Sequence, residues 1–168
     1  MALPHLAPCR KYSLRSIPSS GKVFALIDRF LDTTPRGPKY LAREPIARIV
    51  RNSLEKGVAL GHYDLRAWVI MPNHVHVLLR PKIDPSLLLR ALKGVTAREA
   101  NRTLGFTGSS FWQRESYDHW VRNDLEFDRI VRYIEHNPVK AGLVHRPDEC
   151  FWSSARTSAR ATETDEPE

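Results

Sequence analysis

The 168 residues are 42% apolar, enough to bury one core, and carry 26 Lys and Arg against 19 Asp and Glu, a net charge of +7. This balance favours a polyanionic partner, most often nucleic acid, over the alternative of a merely solvated basic surface. The two cysteines, Cys9 and Cys150, lie far apart, which argues against a disulfide framework and a thiolate zinc site. The apolar runs are shorter than a membrane span, which argues against a transmembrane protein. We therefore expect a cytoplasmic, nucleoid-associated protein with no membrane partner.

Composition divides the chain into three predicted segments. Residues 1–22 are rich in proline, serine and basic residues, which predicts a poorly defined N-terminal segment. Residues 23–155 are expected to form one domain. Residues 156–168 are poor in apolar side chains and contain four acids, which predicts a disordered acidic tail.

The first elements of the domain are a short apolar run and a helix. The run VFALIDRFL (23–31) fits a strand or a helix, because it is too short for its periodicity to decide. A helix is predicted to begin at Pro45 and to stop at Gly57. Its buried face is expected to consist of Ile46, Ile49, Val50 and Leu54.

A β-hairpin is predicted next, and it contains two histidines. The strand YDLRAWVIM turns at Pro72-Asn73 and returns as HVHVLLRP, its antiparallel partner. Side chains alternate along a strand, so His74 and His76 project to the same side. Two adjacent imidazoles can bind a divalent metal, although structural histidines give the same pattern. The candidates for a third ligand are Asn137, Asp64, His62, Asp118, His119 and His136.

A second helix is predicted to begin after Asp84-Pro85 and to end at Gly105. Its buried residues are expected to be Leu88, Ala91, Leu92 and Val95. The segment FWQRESYDHWVR then mixes aromatic and polar residues as a strand does. Asn123-x-x-Glu126 follows it and predicts a capping box at the start of a third helix.

The third predicted helix carries a tyrosine and an amide beside its buried stripe. Tyr133 and Asn137 are four residues apart and therefore lie one turn apart on the same side. Pro138 prevents the helix from continuing far and places this pair near its C-terminal end. A helix tyrosine is usually ordinary packing, and a phenol with a pKa of about 10 needs help to act as a nucleophile.

The order of these elements predicts an α+β fold. Strands and helices alternate, but the hairpin requires antiparallel neighbours, so helices packed against an antiparallel sheet are expected. The ferredoxin-like arrangement is the simplest example.

Four segments, AWVIMPNHVHVLLRP, FWQRESYDHWVRN, RYIEHNPVKAGLV and FWSSA, together resemble the Y1 single-tyrosine transposases of the IS200/IS605 type, and most closely their REP-associated branch. The resemblance spans about residues 40–156 and implies an HUH endonuclease-like fold. It implies that His74, His76 and Asn137 hold Mg²⁺ or Mn²⁺ and that Tyr133 attacks DNA, leaving a 5′-phosphotyrosine and a free 3′-hydroxyl. The implied substrate is single-stranded DNA with a hairpin formed by an imperfect palindrome, bound by a monomer or a homodimer.

Contacts to DNA are expected from basic and aromatic side chains. Phe111, Trp112, Tyr117 and Trp120 could stack on unpaired bases or equally fill the core. The candidates for contacts to the DNA backbone are Arg90, Lys93, Arg98, Arg102, Arg114 and Arg122.

Three alternatives to an active transposase remain open. A nucleic-acid-binding module without chemistry predicts no dependence on metal. A decayed or domesticated transposase would preserve the sequence pattern without the activity. A metal-dependent hydrolase of small molecules is less compatible with the charge and with the lack of a recognisable general base.

Overall fold

The structure is a computed structural model that describes residues 24–27, 38–113 and 117–156. The predicted N-terminal segment 1–22, Arg114 and the tail beyond residue 156 lie outside the described residues, and so do the side chains of Tyr117, Asp118 and His119.

Four strands form an antiparallel sheet in the order β2-β3-β1-β4. These strands are β1 (Phe24–Ile27), β2 (Tyr63–Ile70), β3 (Val75–Pro81) and β4 (Tyr117–Trp120). The ambiguous run at 23–31 therefore supplies a strand, and this strand lies inside the sheet.

Two helices connect the strands and a third follows them. Helix α1 (Glu44–Ala59) joins β1 to β2, and α2 (Pro85–Leu104) joins β3 to β4. This βαββαβ order and the observed strand order are those of the ferredoxin-like arrangement, so the predicted fold is confirmed. Helix α3 (Asp124–Lys140) comes after the last strand. In the described ranges, no helix combines the length and the apolar character needed to cross a bilayer.

The two faces of the sheet are covered by different helices. Side chains such as Val75, Val77 and Leu79 pack with α1 and α2 on one face. Leu78, from the same strand, packs with Ile130 and Ile134 of α3 on the other. Because His74 and His76 alternate with the first set, they belong to the face that α3 covers.

The hairpin between β2 and β3 has the predicted tight turn. The Met71 N–H donates to the His74 carbonyl oxygen over 2.8 Å, with Pro72 and Asn73 between them. At the outer edge of β2, the Ile70 N–H donates to the Trp152 carbonyl over 2.9 Å, and Val69 forms an isolated bridge with Ser153. The FWSSA segment therefore extends the hairpin at its edge.

Helix α1 continues past the predicted stop at Gly57 and ends at Ala59. Gly57 lies within the helix, and the ring of Tyr63 packs directly against it. A Cβ at this position would come within 2.3 Å of the Tyr63 hydroxyl oxygen, so the contact requires glycine. That hydroxyl donates to the Leu54 carbonyl oxygen over 2.8 Å. The glycine permits close helix–strand packing and does not terminate the helix.

The predicted buried face of α2 is wrong in two residues. Ala91 is exposed and Val95 is 45% exposed. The buried positions include Thr96, whose hydroxyl donates to the Leu92 carbonyl over 2.7 Å and accepts from the Trp112 indole N–H over 2.8 Å. This polar side chain can be buried because its hydrogen bonds are satisfied. The buried face of α2 is therefore rotated from the face that the apolar pattern predicts.

Both ends of α3 have clear causes. The Asn123 side chain accepts from the Glu126 backbone N–H over 2.9 Å, as predicted. The Glu126 carboxylate accepts from the backbone N–H of Arg122, one residue before the N-cap, and not from the N-cap itself as in a capping box. At the other end the helix contains Pro138 in its last turn and runs on to Lys140. Tyr133 and Asn137 therefore lie in the last two turns, as predicted.

Candidate active site

His74 and His76 form a buried imidazole pair. They are 3% and 0% exposed, and their Nε2 atoms are 3.0 Å apart. His76 lies in the central strand β3, paired with Val69 of β2 and Ile27 of β1. His74 stands immediately before β3, at the end of the tight turn. The strand alternation therefore brings the two rings together, as the sequence predicts.

Asn73 orients the first of these rings. The Nδ1 atom of His74 is 2.8 Å from the Asn73 side-chain oxygen. An amide oxygen only accepts, so the proton of a neutral His74 resides on Nδ1 and the lone pair on Nε2 points toward His76. This is the arrangement in which an outer hydrogen bond fixes the tautomer of a metal-binding histidine.

Asn137 reaches the same place from α3. Its side-chain nitrogen Nδ2 is 2.9 Å from His76 Nε2, and the residue is only 6% exposed. A half-turn of the amide about its last bond would present the oxygen instead of the nitrogen at this position. The structure thus brings together His74, His76 and Asn137.

Tyr133 completes the cluster. Its ring lies edge-to-face with that of His76, with centroids 5.6 Å apart and planes at 74°. The tyrosine is half-buried, one turn before Asn137 on the same side of α3. The ammonium nitrogen of Lys140 lies over the tyrosine ring, 4.5 Å from its centroid. A half-buried phenol beside the His76 imidazole and the Lys140 ammonium can meet a substrate arriving from solvent.

The donor set fits a divalent cation. Metal–ligand distances of about 2.1 Å place neighbouring ligands of an octahedral ion about 3 Å apart, and the two imidazole nitrogens have this separation. The same 3.0 Å is also a hydrogen-bond distance, and a divalent cation bound there would take the place of the proton that the two rings share. Within the described ranges no three His, Cys, Asp or Glu side chains form a metal-binding group, so the donors here are two imidazoles and one amide.

The other candidates for a third ligand that the structure describes are engaged elsewhere or lie away from the pair. Asp64 forms an ion pair with Lys82, 2.6 Å between Oδ1 and Nζ, and the Lys82 hydrogen bond lowers the pKa of this carboxyl. His136 is exposed, and its Nδ1 is 3.0 Å from the Arg132 carbonyl oxygen. His62 precedes β2 at the opposite end of the hairpin from the turn.

The predicted DNA-contacting residues are dispersed. Arg90, Arg98 and Arg102 are exposed on α2, the layer across the sheet from the histidines. The Lys93 ammonium donates to the Gln113 carbonyl over 3.3 Å. Arg122 is exposed just before α3. Of the candidates that the structure describes, those on α2 therefore lie away from the active site.

Among the aromatic candidates, packing dominates. Phe111 stacks on Tyr40 with centroids 6.2 Å apart, and Trp112 donates to Thr96. Trp120 packs against the core beneath α1 and α2.

Two residues of the site were not predicted. Asn73 appeared only as a turn residue, although its position directly before His74 could have suggested a role. Lys140 is seven residues after Tyr133, a helical spacing that places both on one side.

Comparisons with known proteins identify a family. The family described as "Transposase IS200 like" matches residues 35–137. A "Putative REP-associated tyrosine transposase" of Haemophilus influenzae is 28% identical over an alignment of 113 residues that covers 60% of this chain and 64% of that protein. A "REP-associated tyrosine transposase" of Escherichia coli is 31% identical over 110 residues, 64% of this chain and 63% of that protein. The chain thus spans slightly less than two thirds of the length of these relatives.

A similar fold occurs in a solved structure described as a REP-associated tyrosine transposase bound to a REP hairpin. The TM-score is 0.65 at 24% identity, covering 93% of this chain and 87% of the other.

Proposed function

Because this chain belongs to the IS200-like transposase family, we propose that it cuts and rejoins single strands of DNA, with Tyr133 as the nucleophile. We propose in addition that His74, His76 and Asn137 hold Mg²⁺ or Mn²⁺. The observation that carries both proposals is the convergence on His76: the His74 nitrogen at 3.0 Å, the Asn137 amide at 2.9 Å and the Tyr133 ring at 5.6 Å.

The chemistry is a transesterification. The Tyr133 oxygen attacks the phosphorus of a phosphodiester, and the bond from phosphorus to the 3′-oxygen breaks. The phenol loses its proton, the departing 3′-oxygen gains one, and the DNA stays attached as a 5′-phosphotyrosine. Because this linkage is still a phosphate diester, a 3′-hydroxyl from another strand can attack it and restore the DNA backbone without ATP.

The protein contributes mainly position. Helix α3 packs on the sheet through Ile130 and Ile134, which holds Tyr133 at a fixed distance from the histidines. His76 is held within the central strand, and Asn73 fixes the ring of His74. A bound divalent cation supplies Lewis-acid stabilisation of the charge on the phosphate.

We propose single-stranded DNA with a hairpin as the substrate. The net charge of +7 favours a polyanion. The solved structure of similar fold is described as bound to a REP hairpin, and two curated relatives bear the REP-associated name. A monomer and a homodimer are both compatible with this substrate.

Covalent capture tests the proposal. Full-length protein is incubated with a labelled library of single-stranded DNA hairpins in Mg²⁺, Mn²⁺ or EDTA, and adducts that resist denaturant are resolved on a gel. We expect an adduct that requires metal and is lost in Tyr133→Phe. Tyr40→Phe is the matched control, because Tyr40 packs on Phe106 and Phe111 away from the histidines, and should retain the adduct. DNA binding without any adduct would favour the non-catalytic binding module or the decayed transposase.

A further inference from the structure

We propose that Lys140 is a further catalytic residue, whose ammonium group contacts the phosphate under attack and stabilises its charge. This inference rests on the proposed function of Tyr133. Lys140 belongs to the segment RYIEHNPVKAGLV, and the proposed function assigns no role to its side chain.

Geometry places Lys140 beside the nucleophile. Its ammonium nitrogen is 4.5 Å from the centroid of the Tyr133 ring, a cation–π contact. Tyr133, Asn137 and Lys140 follow one another at helical spacing, so they form one stripe along the end of α3. The lysine is exposed, whereas Asn137 is buried. An incoming phosphate would therefore meet the lysine and the tyrosine at the same opening.

The positive charge of Lys140 offsets the negative electrostatic potential at the C-terminal end of α3. The C-terminal end of a helix carries a partial negative charge of about half an elementary charge. Tyr133 and Asn137 stand in the last two turns of α3, where this field opposes the approach of a phosphate. Lys140 occupies the last turn and supplies the opposite charge. Its long, flexible stem allows the ammonium to move from the ring to a non-bridging phosphate oxygen.

The Lys140 ammonium acts on the phosphate during transesterification, but it forms and breaks no covalent bond. The phosphorus–Tyr133 oxygen bond forms and the phosphorus–3′-oxygen bond breaks, while negative charge accumulates on the non-bridging oxygens. Lys140 stays protonated throughout and donates hydrogen bonds to one of those oxygens. Such a donor, placed where charge develops, accelerates a reaction more than it strengthens binding.

Single-turnover cleavage at saturating DNA tests the kinetic part, using a hairpin that forms the adduct with wild-type protein. We expect Lys140→Ala to lower the rate about 100-fold, in line with the loss of one charge-stabilising donor, while the Kd for the hairpin changes less than threefold. Lys140→Arg should recover most of the rate. Arg132→Ala, which removes a cation from another side of α3, should behave as wild type. An unchanged rate in Lys140→Ala, or a loss of affinity alone, would overturn the proposal.

A lysine footprint tests the contact without requiring cleavage. Tyr133→Phe protein is treated with an acylating reagent with and without the hairpin in Mg²⁺, and each lysine is quantified by mass spectrometry. Lys140 should be protected by DNA, whereas Lys56, exposed on α1 across the sheet, serves as the internal reference. Equal reactivity of both lysines in bound protein would contradict the contact.

The two tests separate this inference from the proposed function. Cleavage that needs Tyr133 but ignores Lys140 retains the proposed function and refutes the inference. Protection of Lys140 in a protein whose wild type forms no adduct supports the contact and refutes the tyrosine chemistry. If no hairpin binds, both are wrong.

Discussion

Asn137 links the tyrosine helix to the central strand through its contact with His76, 2.9 Å between Nδ2 and Nε2. If the amide is a metal ligand, its removal should weaken the cation and leave the histidine pair in place. We expect Asn137→Ala to raise the metal concentration for half-maximal adduct formation about tenfold or more, the usual cost of disturbing a metal site. Asn137→Asp supplies an anionic oxygen and should lower that concentration. The measurement is adduct yield across a Mn²⁺ titration.

The matched control for this titration is Asn52→Ala, an exposed asparagine on α1. It should require the same metal concentration as wild type. Identical metal dependence in Asn137→Ala and wild type would show that the amide is not a ligand.

The burial of the Tyr63 phenol predicts a loss of stability at alkaline pH. Burial raises the pKa of its phenol from 10.0 to about 12. The unfolded chain therefore releases this proton first, so the stabilising effect is complete below pH 10 and declines as the pH rises toward 12. Urea unfolding at pH 9, 10 and 11 should show a smaller loss of stability with pH in Tyr63→Phe than in wild type. Equal losses in both proteins would refute the assignment.

At the scale of single residues, the sequence predicts pairs that lie on one element. His74 and His76 share a face because a strand has a period of two, and Tyr133 and Asn137 share a side because a helix has a period of 3.6. Periodicity alone left six candidates for the third ligand, because the choice depends on how α3 lies on β3. The family resemblance pointed to Asn137 among them. The roles of these four residues stay predictions until they are tested.

The close contact of α1 with β2 requires glycine, which has no side chain, at position 57. A Cβ at Gly57 would come within 2.3 Å of the Tyr63 hydroxyl, whereas a Cβ at Gly94 in α2 would meet no atom within 4 Å. We expect Gly57→Ala to destabilise the protein by about 2 kcal/mol through overpacking. Gly94→Ala should instead stabilise it by up to 1 kcal/mol, because alanine favours the helix. Urea unfolding of both variants provides the comparison, and equal stabilities would contradict the packing argument.

Prediction of the elements succeeded where local signals were strong. The Asn123 cap and the Pro72-Asn73 turn follow from local chemistry that the sequence displays. The buried face of α2 was mispredicted because Thr96 is buried with both of its hydrogen-bonding roles satisfied, which an apolar pattern does not reveal. The end of α1 was mispredicted because Gly57 serves a contact with Tyr63, which is local in space but belongs to the next strand.

For the whole molecule, the distribution of charge is the feature to test. Arg90, Arg98 and Arg102 lie across the sheet from Tyr133, so they can bind DNA without taking part in the chemistry. Replacing all three with alanine should weaken hairpin binding and leave the rate at saturating DNA unchanged. Each lost contact should reduce the slope of log affinity against log salt by about 0.7 for a single strand. Binding titrations at several salt concentrations measure this slope, and an unchanged slope would show that α2 does not contact DNA.

The overall fold and the family were predictable from the sequence. The ferredoxin-like order is confirmed by strand pairing, and the transposase family by the match over residues 35–137. The face occupied by α3 was not predictable by periodicity alone, because nothing local says which side of a sheet a terminal helix covers. The division into 1–22, 23–155 and 156–168 stays a prediction.

The pairing of Trp152 and Ser153 with the end of β2 has a consequence for self-association. An exposed edge strand is a template on which another chain can add a strand, by β-augmentation or in aggregation. Here the Ile70 N–H is already occupied by the Trp152 carbonyl. Two copies therefore cannot merge their sheets along this stretch unless Trp152 is first displaced.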